Sequence, residues 1–347
     1  MTSTSQRNRS GRDMKNSASP EGTMQAIVQT GYGSAEALQL ASIPRPAIAD
    51  DEVLLRVHAA GLDRGTWHLM TGQPYLLRLA FGFRKPKHPV PGRDVAGQVV
   101  EVGSAVTRFT VGDQVYGIAA PHGSFAEYAA AREDKLARKP VTLSFEQAAV
   151  VPVSGMTALQ ALTDAGHVQA GQHVLITGAS GGVGSFAVQL AKAFGAEVTG
   201  VCSTRKIELV RALGASQIID YTQDDVADGA RRYDLILDIA GNPSLRRLQR
   251  SLTPTGTAVL VGGEGRGKLT GGMDRQVRAL VLSIFSRQRL TGFLAKERAS
   301  DLERLTDLIE AGQLTPSVDS TYPLTHVPEA MRHLAAGNVH GKVAITI

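Results

Sequence analysis

The chain has 347 residues, of which 43% are hydrophobic, and a formal net charge of +5 at pH 7. This length favours two domains, and no stretch provides the ~18 consecutive apolar residues that a membrane-spanning helix needs, so a membrane span is excluded. The mild positive charge is spread along the chain without interleaved aromatic residues, so we expect no nucleic-acid partner.

The N-terminal tail, residues 1–23, is rich in serine, arginine and asparagine and nearly lacks large apolar side chains. Such a segment cannot bury enough surface to fold, so we expect it to be disordered. It lacks the apolar core of a secretion signal, and Asp13 and Glu21 argue against an organellar transit peptide. The single cysteine, Cys202, excludes an internal disulfide, and a cytoplasmic location is predicted.

The region from Met24 to Val141 contains short apolar runs separated by glycines. These runs predict β-strands over residues 26–28, 52–60, 95–103, 114–117 and 125–128. Strands of this length and spacing are typical of a compact β-barrel.

Two apolar segments have more than one reading. Residues 73–83 contain two phenylalanines and a tyrosine, which suit a large apolar substrate or a helical cover on the barrel. Residues 276–289 form a helix-like run that fits a dimer contact, a substrate wall or plain core. The sequence leaves both segments open.

The most specific local pattern is the run from Val174 to Gly184, where apolar residues lead into closely spaced glycines and then into an amphipathic segment, residues 186–192. This order predicts a strand, a tight turn and a helix. Unpaired backbone N–H groups at the start of such a helix can donate to a pyrophosphate, which the glycines allow to come close. We therefore predict a dinucleotide-binding site.

The next predicted strand, residues 197–202, indicates which dinucleotide binds. In NAD-binding proteins an acidic residue is expected at the end of this strand, whereas this chain continues with Ser203, Thr204, Arg205 and Lys206. A hydroxyl followed by two cations suits the 2′-phosphate of NADP, so NADPH is the predicted cofactor. The alternative is that Arg205 and Lys206 only form the solvated first turn of the next helix.

Strands and helices alternate after this point. Strands are predicted over residues 216–220, 233–238 and 257–263, and helices over residues 206–213 and 244–252. This alternation is typical of an α/β protein with a doubly wound parallel sheet. The remaining pattern is a helix at 299–311, a strand at 318–324, a helix at 327–336 and a strand at 342–347, which we expect to return to the first domain.

Several ordered motifs carry a resemblance to a known family. They are Ala59-Ala60-Gly61-Leu62-Asp63, Pro91-Gly92-Arg93-Asp94-Val95-Ala96-Gly97, Val111-Gly112-Asp113-Gln114-Val115-Tyr116-Gly117, Gly123-Ser124-Phe125-Ala126-Glu127-Tyr128, the glycine turn and Gly341-Lys342-Val343-Ala344. From residue 24 to residue 347 the chain resembles the medium-chain dehydrogenase/reductase superfamily, in its zinc-free quinone oxidoreductase and enoyl reductase branch. The resemblance implies a GroES-like catalytic domain (residues 24–150 and 297–347), a Rossmann NADP-binding domain (residues 151–296), an active-site cleft between them and a homodimer.

The resemblance also lets the zinc ligands of related alcohol dehydrogenases be checked one by one. Those enzymes need a thiolate where this chain has Asp63, and Gly-His-Glu where it has Gly92-Arg93-Asp94. A cation at the histidine position would repel Zn²⁺, and a single cysteine cannot form a four-thiolate site. We therefore predict no metal.

Without a metal, the expected reaction is hydride transfer from NADPH to a small molecule, a quinone or an α,β-unsaturated carbonyl compound, with hydrogen-bond donors stabilising the charge that builds on the substrate oxygen. By resemblance, residues 63–68 face the nicotinamide, so Asp63 and Trp67 are the catalytic candidates. Related enzymes usually have asparagine at the first position and often tyrosine at the second. Asp63 can orient the cofactor, act as an acid or only cap a helix.

The resemblance implies the cofactor contacts as well. Ser180, Gly181, Gly182 and Val183 are expected at the pyrophosphate, and Ser203, Lys206 and Tyr221 around the 2′-phosphate. Strand-end residues are expected over the nicotinamide, namely Ala240, Gly241, Gly262, Gly263, Phe293 and Leu294. Lys342 is a weaker candidate.

Other functions remain open on the same residues. They are a zinc-free NADP-dependent alcohol dehydrogenase or carbonyl reductase and a non-catalytic NADPH-binding sensor or crystallin-like protein, because fold does not fix function. A short-chain dehydrogenase is excluded, since no tyrosine is followed four residues later by the lysine that its mechanism requires.

Overall fold

The computed structural model describes residues 22–226, 231–241, 243–262, 267, 269–284 and 286–347. The predicted disordered tail, except for its last two residues, and Gly263 therefore lie outside the described residues. Within them the chain forms one seven-stranded sheet, one six-stranded sheet and a separate pair of strands. No helix in these ranges is long and apolar enough to cross a bilayer.

The N-terminal part of the chain is rich in β-structure, as predicted. Its elements are β1 (Thr23–Gln29), β2 (Leu38–Pro44), β3 (Glu52–Leu62), α1 (Arg64–Thr71), α2 (Leu77–Phe81), β4 (Asp94–Val102), β5 (Gln114–Ile118), β6 (Tyr128–Arg132), β7 (Leu136–Arg138) and α3 (Phe145–Ala149). The prediction for β6 is displaced, because Ala126 makes only one bridge, to Ala26, and the strand begins at Tyr128. The sequence analysis misses β2, which pairs with β1 and buries only Leu38 completely.

The middle of the chain alternates helices and strands, which confirms the predicted α/β class. Its elements are α4 (Pro152–Gln160), β8 (His173–Thr177), α5 (Gly182–Ala193), β9 (Glu197–Cys202), α6 (Ile207–Ala212), β10 (Gln217–Asp220), β11 (Tyr233–Asp238), α7 (Leu245–Arg250), β12 (Leu252–Leu260), α8 (Met273–Ile284) and β13 (Arg289–Gly292). The predicted helix over residues 276–289 is wrong at its end, because Arg289 already pairs with Thr257 as the first residue of the edge strand β13.

The C-terminal part returns to the first sheet, as predicted. Its elements are α9 (Ala299–Glu310), β14 (Val318–Pro323), α10 (Val327–Ala335) and β15 (Lys342–Thr346). The strand order is β14-β15-β3-β4-β5-β7, and β6 pairs with the first half of β3. Register shifts between Leu54 and Leu55 and between Val57 and Ala59 allow β3 to bend and to pair with β4, β6 and β15.

The six-stranded sheet is parallel throughout, in the order β10-β9-β8-β11-β12-β13. Val174, Leu175 and Ile176 of β8 are fully buried, because helices cover both faces of such a sheet. The chain adds strands on one side of β8 as far as β10 and then on the other side from β11 onward. Ligands of such sheets bind at this switch point, beyond the carboxyl ends of the strands.

Candidate active site

A cleft of about 980 Å³ opens at the carboxyl end of β8. Residues of the six-stranded domain line one side, in the segments 177–183 and 201–206. Residues of the other domain line the opposite side, in the segments 62–65 and 337–343. A ligand in this cleft therefore contacts both domains.

The turn between β8 and α5 is shaped by its glycines. Gly178 has a φ of +68°, a conformation that side chains with a Cβ rarely adopt. A Cβ on Gly184 would stand 2.1 Å from the carbonyl oxygen of Gly178, so only glycine lets the helix approach the turn so closely. No side chain caps α5 at Gly181, which leaves its first backbone N–H groups for a ligand. This turn fits the pyrophosphate of a dinucleotide.

The segment after β9 lines one end of the cleft, with Ser203, Lys206 and Tyr221 around it. The Lys206 ammonium donates to the carbonyl oxygen of Val339 at 2.7 Å and to that of Gly337 at 3.2 Å. Burial lowers the pKa of Lys206. Because an ammonium has three N–H donors, one remains for a ligand such as a 2′-phosphate.

Further charges surround this end of the cleft. Arg205, Asp224, Asp225 and Arg247 line it as well, and Arg247 forms an ion pair with Asp225. This ion pair balances the negative charge of Asp225. Arg205 and Lys206 then supply positive charge for an anionic group.

The loop of residues 337–341 joins α10 to β15 and contacts the six-stranded domain, and the sequence analysis misses its role. Besides its carbonyl contacts with Lys206, it donates the Gly341 N–H to the carbonyl oxygen of Ser180 at 2.9 Å. The loop thereby contacts both the glycine turn and the segment after β9. The signals in the sequence are the glycines at 337 and 341, the second of which begins the motif Gly341-Lys342-Val343-Ala344. Both glycines have positive φ in the structure.

Lys342 and Asp94 form a buried ion pair beside the glycine turn. Lys342 Nζ lies 3.4 Å from Asp94 Oδ2, and the two side chains are 2% and 0% exposed. Asp94 also accepts from the backbone N–H of Val153, at 2.9 Å, at the start of α4. Burial raises the pKa of Asp94 to about 7, against the opposing effect of the nearby Lys342 charge. The pair connects β15, β4 and α4 next to the cleft.

The two catalytic candidates lie in different environments. Asp63 lines the cleft but is also the N-cap of α1, since its Oδ1 accepts from the Thr66 N–H at 2.8 Å. Asp63 therefore caps a helix, which was one of its predicted roles, and its position in the cleft also allows contact with a ligand. Trp67 does not line the cleft. It packs against the buried cluster that includes Met70 and Phe125.

The residues at the positions of zinc ligands do not fit a metal. The Arg93 guanidinium forms an ion pair with Glu297, which also accepts from Lys135 at 2.6 Å. Asp63 is engaged by the backbone of α1, and Asp94 by Lys342. Within the described ranges, no three His, Cys, Asp or Glu side chains are grouped so as to hold a metal ion.

The structure brings many of the predicted cofactor residues to this single cleft. Those that line it are Ser180, Gly181, Gly182, Val183, Ser203, Lys206, Tyr221, Ala240 and Lys342. Those that do not are Gly241, Gly262, Phe293 and Leu294. Leu294 is 89% exposed, whereas Phe293 packs on the main core. The sequence analysis misses Val153 and Ser154, which line the cleft from α4.

A GroES-like β-domain joined to a parallel nucleotide-binding sheet by a shared cleft defines the class of two-domain, dinucleotide-dependent oxidoreductases. Comparison with known proteins agrees. The family model "Alcohol dehydrogenase GroES-like domain" matches residues 49–141, and the family model "Zinc-binding dehydrogenase" matches residues 213–345.

Similar proteins place the chain within this class. It is 32% identical to a chloroplast envelope quinone oxidoreductase homolog from Arabidopsis thaliana, over 93% of this chain and 98% of that protein. It is 34% identical to an NADPH-dependent alkenal/one oxidoreductase from Arabidopsis thaliana, over 93% of this chain and 79% of that protein. The structure of the quinone oxidoreductase from Coxiella burnetii superposes with a TM-score of 0.81 at 29% identity, covering 94% of this chain and 99% of that one.

The chain belongs to the medium-chain dehydrogenase/reductase superfamily, in its quinone oxidoreductase-like branch, and it is an oxidoreductase. The resemblance and the fold class predicted from the sequence are thereby confirmed.

Proposed function

We propose that the protein transfers hydride from NADPH to a quinone or an α,β-unsaturated carbonyl compound without a metal ion. The observation that carries this proposal is the single cleft in which the glycine turn faces Asp63 and Lys342 of the other domain. The names of the relatives, which include quinone and alkenal/one oxidoreductases, support the same substrate classes. In this proposal residues 24–150 and 297–347 form the catalytic domain and residues 151–296 the cofactor domain.

When bound, the nicotinamide cofactor supplies the hydride, and the protein supplies position and charge. The uncapped start of α5 holds the pyrophosphate, while the Lys206 ammonium, already oriented by the carbonyls of Gly337 and Val339, holds the 2′-phosphate. Lys342 places a positive charge at the wall of the cleft, and Asp94 fixes its position. Negative charge that develops on a substrate oxygen is stabilised by such a preorganised cation.

The absence of metal chemistry in this proposal rests on the donor set at the zinc positions. Arg93, ion-paired with Glu297, stands where a histidine ligand is required, and no cysteine stands at position 63. A divalent cation there would face a guanidinium instead of a neutral imidazole or a thiolate.

The test is oxidation of NADPH and, separately, of NADH against a panel of quinones, enones, aldehydes and simple ketones, with and without a chelator. We expect NADPH-selective turnover of quinones or enones that the chelator leaves unchanged. Turnover that stops with the chelator and returns with zinc would refute the metal-free mechanism. Tight NADPH binding without turnover of any compound would refute the proposed reaction and favour a binding role.

We also propose a homodimer. The edge strand β13 has no neighbour on its outer side among the described strands, and α8 exposes Val277, Leu280, Val281 and Ile284 on the same part of the domain. Light scattering should give about twice the 36.7 kDa mass of the chain, and Ile284→Asp should reduce it. A wild-type monomer at micromolar concentration would contradict the proposal.

We propose the reducing cytoplasm as the compartment in which the enzyme works. The single cysteine, Cys202, is buried and unpaired, which is compatible with reducing conditions. Fractionation of the cells that produce the protein would test this, since recovery from an oxidising compartment would contradict it.

A further inference from the structure

Segment 74–88, between α1 and β4, combines exposed apolar side chains with positive charge. Its exposed large side chains are Tyr75 (42%), Leu76 (38%), Leu79 (74%), Phe81 (45%) and Phe83 (74%). Its cations are Arg78, Arg84, Lys85 and Lys87, with His88 at the end, and it contains no acidic residue. Soluble surfaces rarely expose so many large apolar side chains within one short segment, so this surface calls for a binding partner.

The segment is held in a defined shape, so its exposure is not that of a loose loop. The Arg78 guanidinium contacts the faces of Tyr32 and Tyr75, at 4.5 and 4.7 Å from the ring centroids, and donates to the carbonyl oxygen of Gly72. Tyr32 donates to the carbonyl oxygen of Gly82 at 2.6 Å. These contacts use Arg78 internally. They leave Arg84, Lys85 and Lys87, whose side chains form no ion pair with any described residue.

The chemistry of the surface selects among possible partners. A symmetric contact with a second copy of the chain would bring the cations of one segment against those of the other, which is unfavourable. Leu79 and Phe83 are each 74% exposed, so a rigid protein partner would need cavities that enclose most of both side chains. A lipid interface accepts protruding apolar side chains at any spacing, and anionic headgroups pair with flanking lysines and arginines.

We propose that segment 74–88 binds the surface of an anionic lipid bilayer, with Leu79, Phe81 and Phe83 at the level of the acyl chains and Arg84, Lys85 and Lys87 at the headgroups. The segment follows α1, whose first residues line the cleft and whose eight residues span about 12 Å. A bilayer-dissolved substrate would thus be presented close to the cleft. This last consequence, but not the binding itself, rests on the proposed function.

Binding is tested by sedimentation of the full chain with vesicles of phosphatidylglycerol and phosphatidylcholine in varied ratio. We expect binding that rises with the phosphatidylglycerol fraction and falls with salt. Lys85→Glu/Lys87→Glu should weaken the partition coefficient by about 25-fold or more, since each lysine near an anionic surface contributes about fivefold. Leu79→Ser/Phe83→Ser should lower the partition coefficient most strongly, relative to the wild type, in high salt, where only the apolar contribution to binding remains.

A matched control keeps the test specific. Arg246→Glu/Arg250→Glu makes the same charge change on α7, where both side chains are also exposed. It should bind vesicles as the wild type does, and NADPH affinity should be unchanged in every variant, which verifies folding.

Several results would overturn the proposal. They are no binding to anionic vesicles, equal binding to pure phosphatidylcholine, an equal loss in the α7 control, or a change of oligomeric state in Leu79→Ser/Phe83→Ser without a change in vesicle binding. The last result would mark a contact between copies of the chain. Because NADPH oxidation with a water-soluble quinone is measured separately, failure of vesicle binding and failure of the proposed reaction are distinguishable.

Discussion

Replacing Lys206 by methionine should weaken NADPH binding and leave NADH binding almost unchanged. Methionine keeps the length of the side chain and removes the ammonium that lies among Ser203, Tyr221 and the loop 337–341. A hydrogen bond to a charged group contributes about 1.5–3 kcal/mol, so the Kd of NADPH should rise roughly tenfold to a hundredfold. NADH has no phosphate at this position, and only the disturbance of the loop should affect it.

The two Kd values are measured by titration of the cofactor fluorescence or by calorimetry. Lys192→Met is the matched control, because it makes the same chemical change at an exposed lysine of α5 that does not line the cleft. The methionine variant at 206 should also unfold at a slightly lower temperature, since the carbonyl contacts to Gly337 and Val339 are lost. Equal weakening of NADPH and NADH would refute a role at the 2′-phosphate, and unchanged NADPH binding would refute the proposed selectivity.

Three further substitutions test other parts of the site. Gly184→Ala should weaken cofactor binding about fivefold or more, because its Cβ would stand 2.1 Å from a backbone oxygen and overpacking of this kind costs about 1–3 kcal/mol. Gly31→Ala, with no atom within 4 Å of the added Cβ, is the control. Asp63→Asn should keep the stability of α1, because asparagine is an equally good N-cap, whereas Asp63→Ala should lose about 1 kcal/mol; a fall in kcat with asparagine would show that the charge acts on the reaction. The pKa of Asp94 is about 7 in the folded protein, whereas that of an unfolded aspartate is near 3.9. The free energy of unfolding should therefore fall from pH 4 to 7, by at most ~4 kcal/mol from this group, and stay level above pH 7. Urea titrations at several pH values measure this, and an Asp94→Asn variant with the same pH profile as the wild type would contradict it.

The local pattern of the sequence was sufficient for the fold class and for most elements. Strands such as β8 and β11 have a continuous apolar centre, and the closely spaced glycines between β8 and α5 indicate a tight turn. Two strands that the sequence left out, β2 and β13, have one buried residue each, so pairing with a neighbouring strand and not burial defines them. Hydrophobic periodicity carries little information about such strands.

The candidate site was predictable where one short segment builds it, and less so where several segments meet. The pyrophosphate turn and Ser203 to Lys206 follow directly from spacing along the chain, and all of them line the cleft. Of the residues expected over the nicotinamide, Ala240 lines the cleft, but Leu294 is 89% exposed. A position at the end of a strand does not fix the direction in which the following loop carries its side chains.

The sequence by itself determined that this chain builds a β-rich domain and a domain with a parallel, nucleotide-binding sheet, because strand and helix periods, glycine turns and caps are properties of neighbouring residues. Only the tertiary structure decided how these parts form one site. The Asp94–Lys342 pair joins residues 248 positions apart, and Lys206 meets carbonyl oxygens 131 and 133 positions away. The first contact depends on how the seven-stranded sheet brings β4 and β15 together, and the second on how the two domains pack against each other. Burial, which raises the pKa of Asp94 and lowers that of Lys206, exists only after that packing.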